Sequence, residues 1–207
     1  MTLLHRICLV LCVAVLAAVS PGASAAQGDG VQARLANPAV LRGEFAQEKQ
    51  LKGFRNPLKS NGEFLLLRDR GVLWNTKAPF ASSTRLTREK LLATLPDGST
   101  QVLLDADTSP GMAAVNALML AMMAGDLKAL GKRFVIAETL HKDRSWSLQL
   151  TPREAGLKRA FQRITLQGDR YVRSVEISEA GGDTTRIRFS ALKEVPPASA
   201  SEARLLD

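Results

Sequence analysis

Cysteine and histidine are almost missing from this chain of 207 residues. Both cysteines, Cys8 and Cys12, lie in the apolar N-terminal stretch, and only one histidine, His141, lies downstream of it. The rest of the chain therefore has no disulfide framework, no cysteine nucleophile, no zinc ribbon and no histidine cluster for a metal. We expect no metal, no cofactor and no catalytic residue, and we expect His141, beside Lys142 and Asp143, to lie at the surface.

Aromatic residues are also few, with one Tyr and two Trp, which is too few for the stacking ladder that binds unpaired bases. The formal net charge is nonetheless +8. Basic residues alternate with apolar ones, as in Arg186-Ile187-Arg188-Phe189, which is typical of a solvated sheet face over a core. We therefore expect no nucleic-acid partner, and an anionic membrane surface is a possible partner for this charge.

The N-terminus has the features of a secretory leader. The uncharged run Ile7–Val19 follows a weakly basic start, and Ala23–Ala25 supplies the small residues of a cleavage site. The run is short for a membrane-spanning helix. We expect residues 1–25 to be a cleaved signal peptide and residues 26–207 to form a single soluble periplasmic domain. Cleavage would leave 27 of the 28 basic residues against 20 acidic ones, a net charge of +7.

Apolar residues alternate along two predicted strands that are joined by a turn at Arg70-Gly71. Because side chains alternate along a strand, one face of this hairpin combines apolar residues with an arginine. That arginine is either the polar anchor in the wall of an apolar cavity or a strand-end residue that reaches water. The residues predicted to share this face are Phe64, Leu66, Arg68, Val72 and Trp74.

One segment has helical rather than strand character. Ser109-Pro110 is a favourable helix start, Met112–Ala124 carries no charge, and Gly125 ends it. Such a helix is too short to cross a membrane, so we expect it to pack on the sheet. Its methionines either fill gaps in the core or adapt to acyl chains of variable shape. The apolar face of this predicted helix consists of Met112, Val115, Leu118, Met119 and Met122.

Turn signals recur every ten to fifteen residues in the remainder, and the segments between them alternate with the period of a strand. This spacing predicts an antiparallel meander. A short helix is predicted between Val31 and Leu41, interrupted near Asn37-Pro38. The Ala- and Ser-rich end, residues 196–207, is predicted to be a flexible tail.

A family resemblance rests on the joint spacing of six residues: Phe45, Gln47, Glu63, Arg68, Trp74 and Pro79. This spacing resembles the opening of the LolA family, periplasmic carriers that ferry lipoproteins from the inner to the outer membrane of Gram-negative bacteria. The resemblance implies an α+β fold, an incomplete antiparallel barrel of about ten strands whose concave apolar face is covered by the apolar helix and an N-terminal helix. It also implies that Arg68 ties the helical lid shut through backbone carbonyls.

The function implied is non-covalent binding of the acyl chains of a lipoprotein or a lipid such as a glycolipid, and their transfer towards the outer membrane. Partners would be the cargo and the transfer machinery of the two membranes, and the protein would act as a monomer. Two other classes stay open: an envelope interaction protein, and an acyl-group hydrolase or transferase, for which no Gly-x-Ser-x-Gly elbow is present. The predicted ligand-binding residues are Phe45, Phe64, Leu66, Arg68, Val72, Trp74, Val115, Leu118, Met119 and Met122.

Overall fold

The structure of the protein is a computed structural model that describes residues 30–87, 89–94, 99–105, 120–121 and 126–206. Eleven antiparallel strands form one sheet in these ranges, with short helices packed on it. The strands are β1 (Val40–Gln50), β2 (Leu58–Leu67), β3 (Gly71–Ala78), β4 (Ser82–Thr87), β5 (Lys90–Thr94), β6 (Thr100–Asp105), β7 (Phe134–Leu140), β8 (Trp146–Pro152), β9 (Phe161–Gly168), β10 (Val172–Glu179) and β11 (Thr184–Lys193).

The sheet consists of two meanders joined in the middle. Strands β1 to β6 pair in sequence order, and so do β7 to β11. The first and last strands then pair with each other, with Phe45 opposite Phe189. Because β6 and β7 remain as free edges of the order β6-β5-β4-β3-β2-β1-β11-β10-β9-β8-β7, the barrel is open. This confirms the predicted α+β fold with an incomplete antiparallel barrel, at eleven strands rather than about ten.

Burial alternates along the strands as the sequence pattern predicts. Trp146, Leu148 and Leu150 of β8 are each almost fully buried, while the intervening Gln149 is exposed. In β11, Ile187 and Phe189 are buried whereas Arg186 and Arg188 are exposed. These two arginines therefore lie on the solvated face of the sheet.

Four short helices are described from end to end: α1 (Val31–Arg34), α2 (Leu127–Arg133), α3 (Ala155–Ala160) and α4 (Ala200–Arg204). Helix α1 is shorter than the predicted Val31–Leu41 helix, because it ends at Arg34, before Asn37-Pro38, and Val40 and Leu41 already belong to β1. Its Val31 side chain is fully buried, and the Val31 backbone N–H donates to the Glu138 carboxylate at 2.9 Å. Arg34 donates to the carbonyls of His141 and Ser145 at 2.9 and 2.7 Å, so α1 is fixed against β7 and β8. His141 is exposed, as expected.

Most of the predicted apolar helix Met112–Ala124 lies outside the described residues, including Val115, Leu118, Met119 and Met122. Within the described part, Leu120 and Ala121 are helical, and both pack against the main core. This agrees with a helix that lies on the sheet. None of the helices in the described ranges is long and apolar enough to cross a membrane.

The C-terminal segment differs from the predicted flexible tail. Helix α4 begins at a capping box in which Ser199 and Glu202 bond each other's backbone N–H. Arg42 of β1 donates both terminal guanidinium nitrogens to the Glu202 carboxylate, at 2.7 and 2.9 Å. Leu206 is buried against three leucines of β2 and β3, Leu65, Leu67 and Leu73. The tail is ordered because a sheet arginine and an apolar patch, both distant in sequence, hold it.

This contact should make docking of α4 depend on pH. The hydrogen bonds from the Arg42 guanidinium and the Ser199 backbone N–H lower the pKa of the Glu202 carboxyl from 4.5 to about 2. A pKa lowered by folding adds stability above the unfolded value, and this stability is lost as the pH falls from about 4.5 towards 2. The Glu202→Gln variant should therefore unfold up to about 2–4 °C below wild type at pH 7. That gap in thermal midpoint should narrow at pH 3, and an equal gap at both pH values would contradict this role.

Candidate functional site

Four aromatic side chains meet on one face of the sheet, called here the inner face. They come from four neighbouring strands: Phe45 (β1), Phe64 (β2), Trp74 (β3) and Phe189 (β11). Phe45 and Trp74 stack with centroids 3.8 Å apart, and Phe64 meets Phe189 edge-on at 5.4 Å. Trp74 also lies edge-on to Phe189 at 6.2 Å. The three phenylalanines are buried, whereas Trp74 is only partly buried.

Two glycines make room for these rings. A Cβ atom at Gly43 would lie 2.7 Å from the Phe64 ring, and a Cβ atom at Gly62 would lie 2.8 Å from the Phe45 ring. The Gly62 position would also collide with the backbone carbonyl of Asn75 on β3. Phe45 is directly opposite Gly62 in the β1–β2 register. The aromatic cluster therefore depends on residues without side chains at these two places.

Aliphatic residues extend the inner face on either side of the aromatic cluster. Leu66 and Val72 are nearly fully buried, and they join the same core as the aromatic rings. Leu86 and Leu91 continue it across β4 and β5. The helical residue Ala121 packs on this core from above the sheet. The inner face is thus apolar from β5 to β11 at this level.

The inner face becomes polar towards the loop that joins β10 and β11. The Lys49 ammonium lies 3.0 Å from the Glu179 carboxylate and 3.8 Å from the Asp183 carboxylate. The Thr185 hydroxyl donates to the same Glu179 oxygen at 3.2 Å. These paired charges mark one boundary of the apolar surface.

Arg68 lies one residue beyond the end of β2 and is exposed. Its guanidinium donates to the backbone carbonyl of Pro38 at 3.1 Å and to that of Asn37. Its own N–H donates to the Ala39 carbonyl at 3.1 Å. The strand-end placement is therefore observed, and the side chain also holds the segment between α1 and β1. Its role as a tether for a lid stays a prediction.

The sequence pattern predicts five residues of the inner face on strands β1 to β3 and misses Phe189 of β11. Phe45, Phe64, Leu66, Val72 and Trp74 do share one face of the sheet. Their binding role stays a prediction. The alternation of Phe189 with Ile187 predicts a strand residue but not its place in the cluster. That place depends on the β1–β11 register, which sets Phe189 opposite Phe45 and which no local pattern predicts.

Fold and face together define an open antiparallel half-barrel with an apolar inner face. The family model for the outer membrane lipoprotein carrier protein LolA matches residues 37–202, and the chain belongs to this family, which confirms the resemblance.

Individual relatives carry the same description. An outer-membrane lipoprotein carrier protein from Ralstonia nicotianae is 30% identical over 201 residues, covering 92% of this chain and 88% of that protein. One from Cupriavidus pinatubonensis is 29% identical with the same coverage. Among solved structures, a LolA superfamily protein from Nitrosomonas europaea has a TM-score of 0.44 at 9% identity, covering 83% of this chain and 92% of that one.

The close approach at Gly62 gives a direct test of the packing. Gly62→Ala should lower the free energy of unfolding by at least about 1–3 kcal/mol, because the new methyl group overlaps the Phe45 ring and the β3 backbone. Gly156→Ala in α3 is the matched control, since a Cβ there meets nothing within 4 Å and alanine favours a helix. Denaturant unfolding of both variants checks this. Equal stability of Gly62→Ala and wild type would contradict the packing.

Proposed function

We propose that this protein binds acyl chains non-covalently on its inner face and carries them through the periplasm towards the outer membrane. The observation that carries the proposal is the aromatic cluster, in which three buried phenylalanines surround a tryptophan that is only partly buried. A partly covered aromatic wall beside aliphatic residues provides an apolar surface that a flexible hydrocarbon chain can complete.

Energetics favour such a surface for a carrier. A buried methylene is worth about 0.8 kcal/mol, so a chain of roughly sixteen carbons costs on the order of 12 kcal/mol to expose to water. Extraction from a membrane is nearly neutral only if the protein offers a surface of similar apolarity. Release requires that the loaded state be slightly less favourable than the acceptor membrane. A closed empty state that is stabilised by polar contacts supplies that bias.

Arg68 is the proposed source of this bias. Its guanidinium is exposed and already donates to backbone carbonyls, those of Asn37 and Pro38, so it has both the donors and the reach for a carbonyl tether. Through that segment it acts on the position of α1, whose Val31 is part of the core. Val115, Leu118, Met119 and Met122 are proposed to line the cover over the bound chain.

Membership of a family of outer membrane lipoprotein carrier proteins supports a periplasmic location and a cleaved leader at residues 1–25. The cargo is proposed to be a lipidated protein or a (glyco)lipid, received from and handed to machinery at the two membranes by a monomer. No catalytic residue is proposed. Detectable ester turnover that collapses in His141→Ala would instead favour an acyl-group enzyme, because a general base typically contributes about 10²–10⁴-fold in rate.

The two tryptophans allow the binding site to be located directly. Trp74 is partly exposed on the inner face, whereas Trp146 is 1% exposed and donates its indole N–H to the Asp169 carbonyl. A dibrominated stearate quenches tryptophan only on contact. It should therefore quench the fluorescence of Trp146→Phe, which retains Trp74. It should quench Trp74→Phe, which retains Trp146, much less.

The same two variants can also contradict the proposal. Unbrominated stearate should cause no quenching by itself. It should reduce the quenching by competing with the brominated chain for the site. Acyl binding on the inner face would be contradicted if saturable quenching appeared only in the Trp74→Phe variant, which retains Trp146. It would also be contradicted if neither variant were quenched. An envelope interaction protein without a lipid site gives the second of these results.

A separate prediction concerns release. Arg68→Leu should fold and bind the brominated chain, but transfer it to acceptor vesicles several-fold more slowly, because the closed empty state loses its carbonyl contacts. Arg70→Leu is the control, since Arg70 donates to the Ala203 carbonyl of α4 at the same end of the sheet. Stopped-flow recovery of Trp74 fluorescence measures the transfer. Equal rates for wild type and Arg68→Leu would show that the tether is not used.

A further inference from the structure

The two phenylalanines most exposed to water lie in loops at one end of the sheet. Phe80 is 81% exposed and Phe54 is 67% exposed. Phe54 lies between β1 and β2, and Phe80 lies between β3 and β4. Since consecutive strands of this meander run in opposite directions, the loops that follow β1 and β3 leave the sheet at the same end. We call residues 51–57 and 79–81 the phenylalanine loops.

The first of these loops is held in place and projects from the sheet. The Lys52 backbone N–H donates to the Asp183 carboxylate at 2.9 Å, and the Phe54 N–H donates to the Leu51 carbonyl at 3.1 Å. Gly53 adopts a φ of +84°, which turns the chain sharply. The β1–β2 pairing continues to Leu58, whereas β3 pairs with β2 only as far as Asn61. The hairpin thus extends about 10 Å beyond the end of β3.

Basic residues lie beside Phe54 and on the strands that adjoin the phenylalanine loops. Lys52 and Arg55 flank Phe54, both are exposed, and neither side chain takes part in an ion pair among the described residues. Lys59 and Lys77 follow on the adjoining strands with side chains 70% and 60% exposed. They lie near the carboxylates of Glu48, at 3.7 Å, and Glu63, respectively. The lysine and arginine beside Phe54 are therefore exposed cations next to one of the rings.

We propose that the phenylalanine loops dock the protein on an anionic phospholipid bilayer, with the two rings in the interfacial region and Lys52 and Arg55 against the headgroups. Aromatic rings favour the membrane interface, and lysine and arginine are attracted to anionic lipid. A second copy of the chain is disfavoured as the occupant, because it would bring two sets of basic loops together. The purpose of docking, bringing the inner face to a membrane as cargo enters or leaves, rests on the proposed carrier function.

Flotation of the purified full chain with vesicles tests the proposal. Wild type should float with vesicles of phosphatidylglycerol and phosphatidylcholine at a molar ratio of 3:7 at low salt, and much less with pure phosphatidylcholine. Phe54→Ala/Phe80→Ala should lower the partition coefficient at least tenfold. Lys52→Gln/Arg55→Gln should lower it about 5-fold per charge on the anionic vesicles, and little on the neutral ones.

Matched controls lie at the opposite end of the sheet. Val195 is 68% exposed, and Lys193, at the end of β11, is also exposed. Val195→Ser/Lys193→Gln removes an exposed apolar side chain and one charge there, so this variant should float like wild type. Thermal unfolding of every variant checks that the fold is kept. We expect it to be kept because all the replaced side chains are exposed.

The outcomes separate docking from acyl binding. Loss of flotation in the loop variants, with quenching of Trp74 by brominated stearate unchanged, supports the docking surface. Flotation that depends on the loops without any acyl binding supports it too, while the carrier function fails. Equal flotation of the loop variants and wild type overturns the proposal, as does equal loss in the Val195→Ser/Lys193→Gln control. Concentration-dependent dimers that disappear in the loop variants, without flotation, would assign the loops to a second copy instead.

Discussion

The pairing of β1 with β11 is the interaction on which the rest of the structure depends. It joins two meanders that would otherwise end in unpaired strands, β1 in the first meander and β11 in the second. The register places Phe45 opposite Phe189, and so completes the aromatic cluster. At one end of the same ladder Arg42 reaches Glu202 of the C-terminal helix, and at the other Lys49 pairs with Glu179. Packing, tail docking and the polar boundary of the inner face all follow from this one register.

The two faces of the sheet then meet different requirements. On the outer face, the charged side chains of β11 are exposed, and the cluster buried there among the described residues is a small group of leucines beneath α4. The inner face is apolar and built so that rings pack where Gly43 and Gly62 leave space, yet Trp74 keeps part of its surface accessible. Complete burial would stabilise the fold further, by about 25 cal/mol for each Å² of apolar surface removed from water. A carrier needs some of that surface to remain for its cargo, and the partial exposure of Trp74 is consistent with this compromise.

Local patterns in the sequence predicted much of this. Period-two alternation found the strands and put Phe64, Leu66, Val72 and Trp74 on one face, because both properties are decided within a single hairpin. The position of Phe189 in the aromatic cluster could not be predicted from a local pattern, since it depends on the register between β1 and β11, which are far apart in the chain. The tail shows the same limit. Ser199 and Glu202 carry a capping signal in their spacing, but the helix is held by Arg42 of β1, which no local pattern reveals.

The central claim, that the inner face carries an acyl chain, is tested most directly by native mass spectrometry of the protein released gently from the periplasm of its own cells. The account predicts a population heavier than the bare chain by the mass of a lipid or lipidated protein, and this adduct should be lost when acceptor membranes are added. Its mass would also identify the class of cargo. A spectrum that contains only the bare chain, under conditions in which a known lipid carrier keeps its ligand, would contradict the account.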